Sequence, residues 1–192
     1  RWEDFYSYNN VKDFITVDER IYALADNAVF IYDTNTEQTE KLSSIVGFSG
    51  ETTSAIHFNT SNRRLVIGYE TGLLEILNED ESITISADIA NFNQVGEKQI
   101  NHISEYNNKL YLSTPFAIVV YDINDLEFGD TYFIGQNSTS VKINQTLIVN
   151  NQLFAATENG IYVANLSNPN LIDFNNWQLL FSGNFTNLTR FN

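Results

Sequence analysis

Two markers recur along this chain at the same three spacings, and that recurrence constrains its fold more than any other feature. Apolar runs that read as the second strand of a repeat begin at Ile21, Leu65, Leu110 and Leu153, separated by 44, 45 and 43 residues. Runs that read as the third strand begin at Val29, Leu73, Ile118 and Ile161, with the same 44, 45 and 43. One irregular domain has no reason to keep two markers in step, whereas tandem repeats do. The residue before each third strand is always small, being Ala28, Gly72, Ala117 or Gly160. A tight turn that brings two backbones close together demands this.

Each repeat divides into four short strands. The first places them at 11–17, 20–25, 28–33 and 39–42, with Asp26-Asn27 supplying the turn between the second and third. The second opens with the loop Val46-Gly47-Phe48-Ser49-Gly50 and places strands at 54–58, 64–69, 72–77 and 82–85. The third gives 100–106, 109–114, 117–122 and 131–134, and the fourth gives 146–149, 152–157, 160–165 and 177–181. Ile21-Tyr22-Ala23-Leu24 and Ile118-Val119-Val120-Tyr121 are apolar on both faces instead of alternating, as in a sheet covered on both sides. A repeat of about 44 residues with four strands and no helix is the signature of a β-propeller blade.

The expected fold is therefore all-β: a β-propeller with four blades of four antiparallel strands, at 11–45, 53–87, 100–135 and 144–182, forming one propeller segment over 1–192. A long sandwich would explain the short strands but not the fixed spacing. Residues 2–8 read as an outer strand and 185–191 as an inner strand of incomplete or shared blades. The chain is accordingly expected to be a segment of a larger propeller, the alternative being that its termini pair and close a small ring. An open arc would expose blade faces on the order of hundreds of Å².

Composition supports a packed core. The chain has 192 residues, is 43% hydrophobic, and carries 14 Phe, 10 Tyr and 2 Trp, enough to bury about 70% of its unfolded surface without covalent staples. Cysteine is absent, so no disulfide, thiolate nucleophile or Cys-ligated zinc enters the reading. The net charge is −14, which repels phosphate backbones and argues against nucleic acid as a partner. No apolar run approaches the roughly 18 residues of a membrane span. The chain starts at Arg1 without a Met or an apolar leader and reads as a mature or excised segment.

Candidate chemistry is sparse. The two histidines, His57 and His102, fall on innermost strands and are the candidates for a site lining a central channel; hydrogen-bonded structural roles are the alternative. Asp122, Asn124, Asp125 and Glu127 place oxygens at alternating positions and are candidates for a weak structural calcium site. They lack the Gly and the terminal bidentate Glu of an EF-hand loop, and solvated turn residues would look the same. Gly47-Phe48-Ser49-Gly50 is not a nucleophile elbow, and neither a P-loop nor a dinucleotide-binding glycine pattern occurs. Asn59, Asn137, Asn144 and Asn184 begin N-x-[ST] triplets, which chance supplies in an Asn-rich chain. No residue pattern points to an enzyme, and no cofactor is expected.

Several stretches, taken in order, resemble the N-terminal propeller of the PorZ-type surface proteins of the Bacteroidetes type IX secretion system. Trp2-Glu3-Asp4-Phe5-Tyr6-Ser7-Tyr8 resembles the W-x-D-x-x-S-Y opening of that domain, and Ile67-Gly68-Tyr69-Glu70-Thr71-Gly72 its I-G-Y-x-x-G blade turn. Ile100-Asn101-His102-Ile103, Phe116-Ala117-Ile118-Val119-Val120-Tyr121-Asp122 and Asp130-Thr131-Tyr132-Phe133-Ile134-Gly135 resemble its K-x-I-N-x-I, F-G-I-V-V-x-D and D-T-Y-x-I-G segments. Ala117 stands where the pattern has Gly. The chain is also similar to the two-component regulator propeller repeats, through Val46-Gly47-Phe48-Ser49 and the same blade turn.

The first resemblance implies a non-catalytic scaffold or binding module of the cell-surface attachment complex, which matures secreted cargo and anchors it to lipopolysaccharide. Its implied partners are a PorU-type sortase and associated outer-membrane proteins, with anionic lipopolysaccharide reached through the parent protein. The implied location is exported, at the cell surface or outer membrane. The second resemblance implies the alternative, a periplasmic ligand-sensing propeller of a hybrid two-component system that binds oligosaccharide.

Overall fold

A computed structural model of the protein describes residues 10–93 and 95–181. The strands expected at 2–8 and 185–191 lie outside the described residues. Those residues form four four-stranded antiparallel sheets, each built from strands consecutive in sequence and ordered first to fourth. This is the blade design that the spacing predicts.

The first blade comprises β1 (Val11–Val17), β2 (Arg20–Ala25), β3 (Ala28–Asp33) and β4 (Gln38–Leu42). The second comprises β5 (Thr53–Asn59), β6 (Arg64–Tyr69), β7 (Leu74–Leu77) and β8 (Ile83–Ser86). A one-turn helix, α1 (Asp88–Asn91), follows it and buries Ile89; strand periodicity gave no sign of it. The third blade comprises β9 (His102–Tyr106), β10 (Lys109–Ser113), β11 (Ile118–Asp122) and β12 (Glu127–Tyr132). The fourth comprises β13 (Ile143–Val149), β14 (Gln152–Thr157), β15 (Gly160–Asn165) and β16 (Gln178–Phe181). No helix among the described residues is long and apolar enough to cross a membrane.

The chain divides into two compact units, Arg1–Asn93 with blades one and two, and Gln94–Asn192 with blades three and four. In the first unit, Tyr22, Leu24, Val29 and Ile31 of blade one pack with Ile56, Leu65 and Ile67 of blade two, and Phe48 of the connecting loop closes the cluster. In the second, Tyr111, Ile118, Val120 and Tyr132 pack with Leu153, Ala155, Ala164 and Trp177. The Trp177 indole donates to the carbonyl of Leu171 at 2.9 Å, so this large ring is buried with its one polar group satisfied.

Within each unit the first strand of the later blade lies beside the first strand of the earlier one. Polar groups fix that contact. The Thr53 amide and hydroxyl donate to the carbonyls of Asp26 (2.8 Å) and Ala25 (2.5 Å), and the Lys12 ammonium donates to the carbonyl of Thr53 (2.7 Å). In the second unit the Ile143 amide donates to the carbonyl of Thr114 (3.0 Å), and the Asn101 side chain to that of Ile143 (2.7 Å). These bonds satisfy backbone groups that the ends of the ladders leave over.

The turn between second and third strands takes two forms. Gly72 and Gly160 hold positive φ of 85° and 129°, as the absence of a Cβ allows, while Ala28 and Ala117 at the same repeat position stay out of that region. In blades three and four the turn is tied by a buried threonine. Thr114 Oγ1 donates to the carbonyl of Ala117 (2.8 Å) and Thr157 Oγ1 to that of Gly160 (2.8 Å). The threonine bond is common to a turn with alanine and a turn with glycine, so it closes the turn in either backbone conformation.

Several strand ends differ from expectation: β13 begins at Ile143 rather than 146, β7 at Leu74 rather than 72 and β9 at His102 rather than 100. The largest difference is in blade three. The fourth strand of blade three runs Glu127–Tyr132 rather than 131–134. Phe128-Gly129-Asp130 has turn composition, but the turn falls earlier, where Leu126 takes φ of 59°. A bulge between Val119 and Tyr121 then sets Tyr121 opposite Phe128, and the two rings meet edge to face with centroids 4.9 Å apart.

Candidate functional site

The sequence singles out two histidines and one acidic turn. His57 sits on β5 opposite Val66, in the first unit. His102 begins β9 opposite Ser113, in the second unit, with its Nε2 3.4 Å from Nε2 of Gln145 on β13. Next to it, Ser104 and Thr146 share a hydrogen bond of 2.7 Å, and the Tyr106 hydroxyl donates to the side-chain oxygen of Asn151 at 3.0 Å. His102 thus belongs to a row of polar contacts that joins the first strands of blades three and four.

In the acidic turn, Oδ1 of Asp122 accepts the amide N–H groups of Asn124 (2.9 Å) and Asp125 (3.2 Å). Glu127 lies on β12 and pairs with Asp122 across the ladder. The same arrangement recurs at the same place in other blades. Oδ1 of Asp33 accepts the amides of Asn35 and Thr36, both at 3.0 Å, and Oδ1 of Asn165 accepts that of Ser167 at 2.8 Å. Neutral Asn165 does what Asp122 does, so the recurring task is to cap the turn. The Thr36 amide is the main reason the Asp33 carboxyl titrates below its ordinary value. No group of three or more His, Asp or Glu side chains arranged to hold a metal occurs among the described residues.

Sequence reasoning missed Glu75. It is fully buried on β7, its carboxylate accepting the Ser49 amide at 2.9 and 3.3 Å and the hydroxyl of Tyr69 on β6. Burial, then the Glu75 carboxylate, push the Tyr69 phenol well above its ordinary pKa. The signal was one charged residue inside the four-residue apolar strand Leu74–Leu77, since a buried charge requires partners. Those partners pin the loop that carries Gly47 and Gly50, both at positive φ.

Also unforeseen is a cleft of about 370 Å³ between the two blades of the first unit. Its apolar floor includes Tyr22, Ile31, Phe48, Phe58, Leu65 and Leu77, with the rings of Tyr22 and Phe58 5.6 Å apart. Arg20, Arg63, Glu40, Glu79 and Glu81 form its rim. Arg20 pairs with Asp33 at 3.6 Å, and Arg63 with Asp18 at 3.7 Å and Glu79 at 3.8 Å. Residues 20–81 contribute from two blades, and no local motif connects them.

The family model for the N-terminal β-propeller domain of PorZ of the type IX secretion system matches residues 21–178. No curated protein matches the chain in sequence. Among solved structures, the chain is similar to PorZ of Porphyromonas gingivalis, described as an essential bacterial surface component of the type IX secretion system. The TM-score is 0.77 at 20% identity, covering 90% of this chain and 22% of that one. It is also similar to the extracellular domains of a putative one-component system and a putative hybrid two-component system of B. thetaiotaomicron. Their TM-scores are 0.70 and 0.69, at 14% and 19% identity, covering 95% and 93% of this chain. The chain spans 24% and 23% of those two structures, and these likenesses show a shared fold. The family match, which covers most of the chain, shows more: the chain belongs to the PorZ N-terminal β-propeller family.

Proposed function

We propose that this chain is a scaffold and binding segment of a type IX secretion attachment complex, exported to the cell surface, where the parent protein supports cargo maturation and anchoring to lipopolysaccharide. The observation that carries this reading is the family match over residues 21–178. A PorU-type sortase and associated outer-membrane proteins are its partners. At a net charge of −14 the segment is a poor surface for an anionic glycan, so contact with lipopolysaccharide falls to another part of the parent or to bridging divalent cations. The four blades act as part of one larger propeller. Supporting this, Val11 and Phe14 on β1 are 55% and 63% exposed, apolar surface that a neighbouring blade would cover.

The test is a pull-down from outer membranes with the full-length parent as bait. Recovery of a sortase or another attachment-complex component is the expected result, and recovery of none overturns the reading. The likeness to extracellular sensor domains favours a second reading, a ligand-sensing propeller of a two-component system. A transmembrane segment followed by a histidine kinase in the parent gene would establish that one instead.

A further inference from the structure

The first strands of blades one, two and four begin alike. Val11, Thr53 and Ile143 each lie opposite the last residue of their blade's second strand, and each is followed by a register shift. In blades two and four the preceding blade holds that start. The Thr53 amide donates to the carbonyl of Asp26 at 2.8 Å, and the Ile143 amide to that of Thr114 at 3.0 Å. Asp26 and Thr114 are the first residues past β2 and β10, so both acceptors belong to the second-to-third turn of the preceding blade. Three residues further on, Ile56 packs in the cluster with Tyr22 of blade one, and Thr146 bonds Ser104 of blade three. These two are 6% and 1% exposed, whereas Phe14 at the same repeat position is 63% exposed.

Phe14 lies opposite Ala23 and Ala23 opposite Phe30, while Thr16, Ile21 and Tyr32 are opposed in the same way. These residues share the face turned away from blade two, since Tyr22, Leu24 and Ile31 fill the other. We infer that this face is covered by a further blade of the parent protein, outside residues 1–192, standing to blade one as blade one stands to blade two. Its second-to-third turn offers a carbonyl to the Val11 amide. Its second strand lays a large apolar side chain on the face, as Tyr22 and Tyr111 do at one repeat position in blades one and three. Resting on the larger-propeller reading above, blade one thereby takes its neighbour on a fixed side and in a fixed order. A stacked repeat cannot bury its apolar face alone, and a repeat of the same chain supplies the cover. A second copy using this same face would set two first strands together and leave the Val11 amide without a turn carbonyl. One docked head to tail would leave a fresh face open and propagate. The relatives of shared fold have room for such a blade, since this chain spans 22%, 24% and 23% of them.

Hydrogen exchange read by mass spectrometry tests this on the full-length parent and on chain 1–192, following the peptide over Val11–Val17. That peptide is expected to exchange at least about tenfold more slowly in the parent, while the peptide over β5 exchanges alike in both. Phe14→Asp, at an exposed position, is expected to lower the melting temperature of the parent by about 2–4 °C or more and to leave that of chain 1–192 within about 1 °C. Equal exchange of the Val11–Val17 peptide in the two proteins overturns the inference. So does a Phe14→Asp cost as large in chain 1–192, which would place the cover within these residues. A slowing in the parent that fades on dilution overturns it too, because the cover would then be a second copy. Slow exchange in the parent while the pull-down recovers no secretion component keeps the neighbouring blade and removes only the secretion reading. The reverse pair of results removes only the neighbouring blade.

Discussion

The phenol of Tyr69 donates a hydrogen bond to the carboxylate of Glu75, which is fully buried and holds the Ser49 amide on its other side. A middle strand, its neighbour and the loop from the preceding blade therefore meet on one charged group. Replacing Glu75 by Gln keeps the shape but loses the charge-assisted bonds, and the expected cost is about 1–3 kcal/mol. Glu75→Ala adds a cavity and costs more. Urea unfolding at neutral pH measures both. A Glu75→Gln variant as stable as the parent would show that the carboxylate is not what holds the loop.

The same pair sets an alkaline response. Burial and the Glu75 carboxylate raise the Tyr69 pKa in the folded chain above its ordinary value of 10.0. A group with a raised folded-state pKa contributes stability that is complete below the unfolded value and is lost as pH rises beyond it. Stability is thus expected to fall above about pH 10, with Tyr132 and Tyr111 contributing in the same direction because burial raises them too. Tyr69→Phe is expected to be less stable at neutral pH yet to show a shallower decline above pH 10. A decline as steep as the parent's would place the effect on other groups.

The turn before the third strand takes two backbone conformations in blades three and four, though both carry the same threonine bond. Gly160 has φ of 129°, where alanine is strained, so Gly160→Ala is expected to cost about 1–3 kcal/mol. Ala117 occupies the same repeat position without positive φ, and Ala117→Gly should cost only about 0.5–1 kcal/mol, through chain entropy. Thermal denaturation separates the two, and equal costs would show that the turns are alike.

How much of this was legible follows from what each feature depends on. The strands were legible because apolar residues such as Leu65, Leu110 and Leu153 recur at the period of the repeat. The conformation at Ala117 was not, because Gly160 at the same repeat position takes φ of 129° although both turns carry the same threonine bond. Register in blade three misled because Gly129 and Asp130 have turn composition, and only the meeting of Tyr121 with Phe128 places them in a strand. Glu75 stood out as a charge among apolar neighbours, yet Ser49 lies 26 residues before it and no local pattern joins them. The cleft is assembled across two blades, and strand periodicity carries no information about what lies between sheets.

Asp122 offers a test of turn capping against metal binding. Because Asn165 makes the same bond, Asp122→Asn is expected to stay within about 0.5 kcal/mol of the parent, and Asp122→Ala to lose roughly 1 kcal/mol. Millimolar calcium is expected to leave the melting temperature of the parent unchanged. A rise in the parent that Asp122→Asn abolishes would establish a calcium site at this turn.

Gly135 closes the Asp-Thr-Tyr-Phe-Ile-Gly segment, and space, not φ, explains it. Its φ of −69° suits any residue. A Cβ built there would lie 2.5 Å from the Thr139 hydroxyl oxygen, 2.6 Å from the Thr139 carbonyl oxygen and 2.8 Å from a methyl group of Val141. The hydroxyl can rotate away and Val141 can be shortened, but the carbonyl is fixed because it accepts the Gly135 amide at 3.1 Å. Gly135→Ala is therefore expected to cost about 1–3 kcal/mol by overpacking. Val141→Ala removes one of the three contacts and adds a cavity of its own, so it should not rescue the first substitution. Chemical unfolding of the two single variants and the double variant gives the coupling. Rescue would place the clash on the Val141 side chain; its absence places it on the backbone that closes the turn.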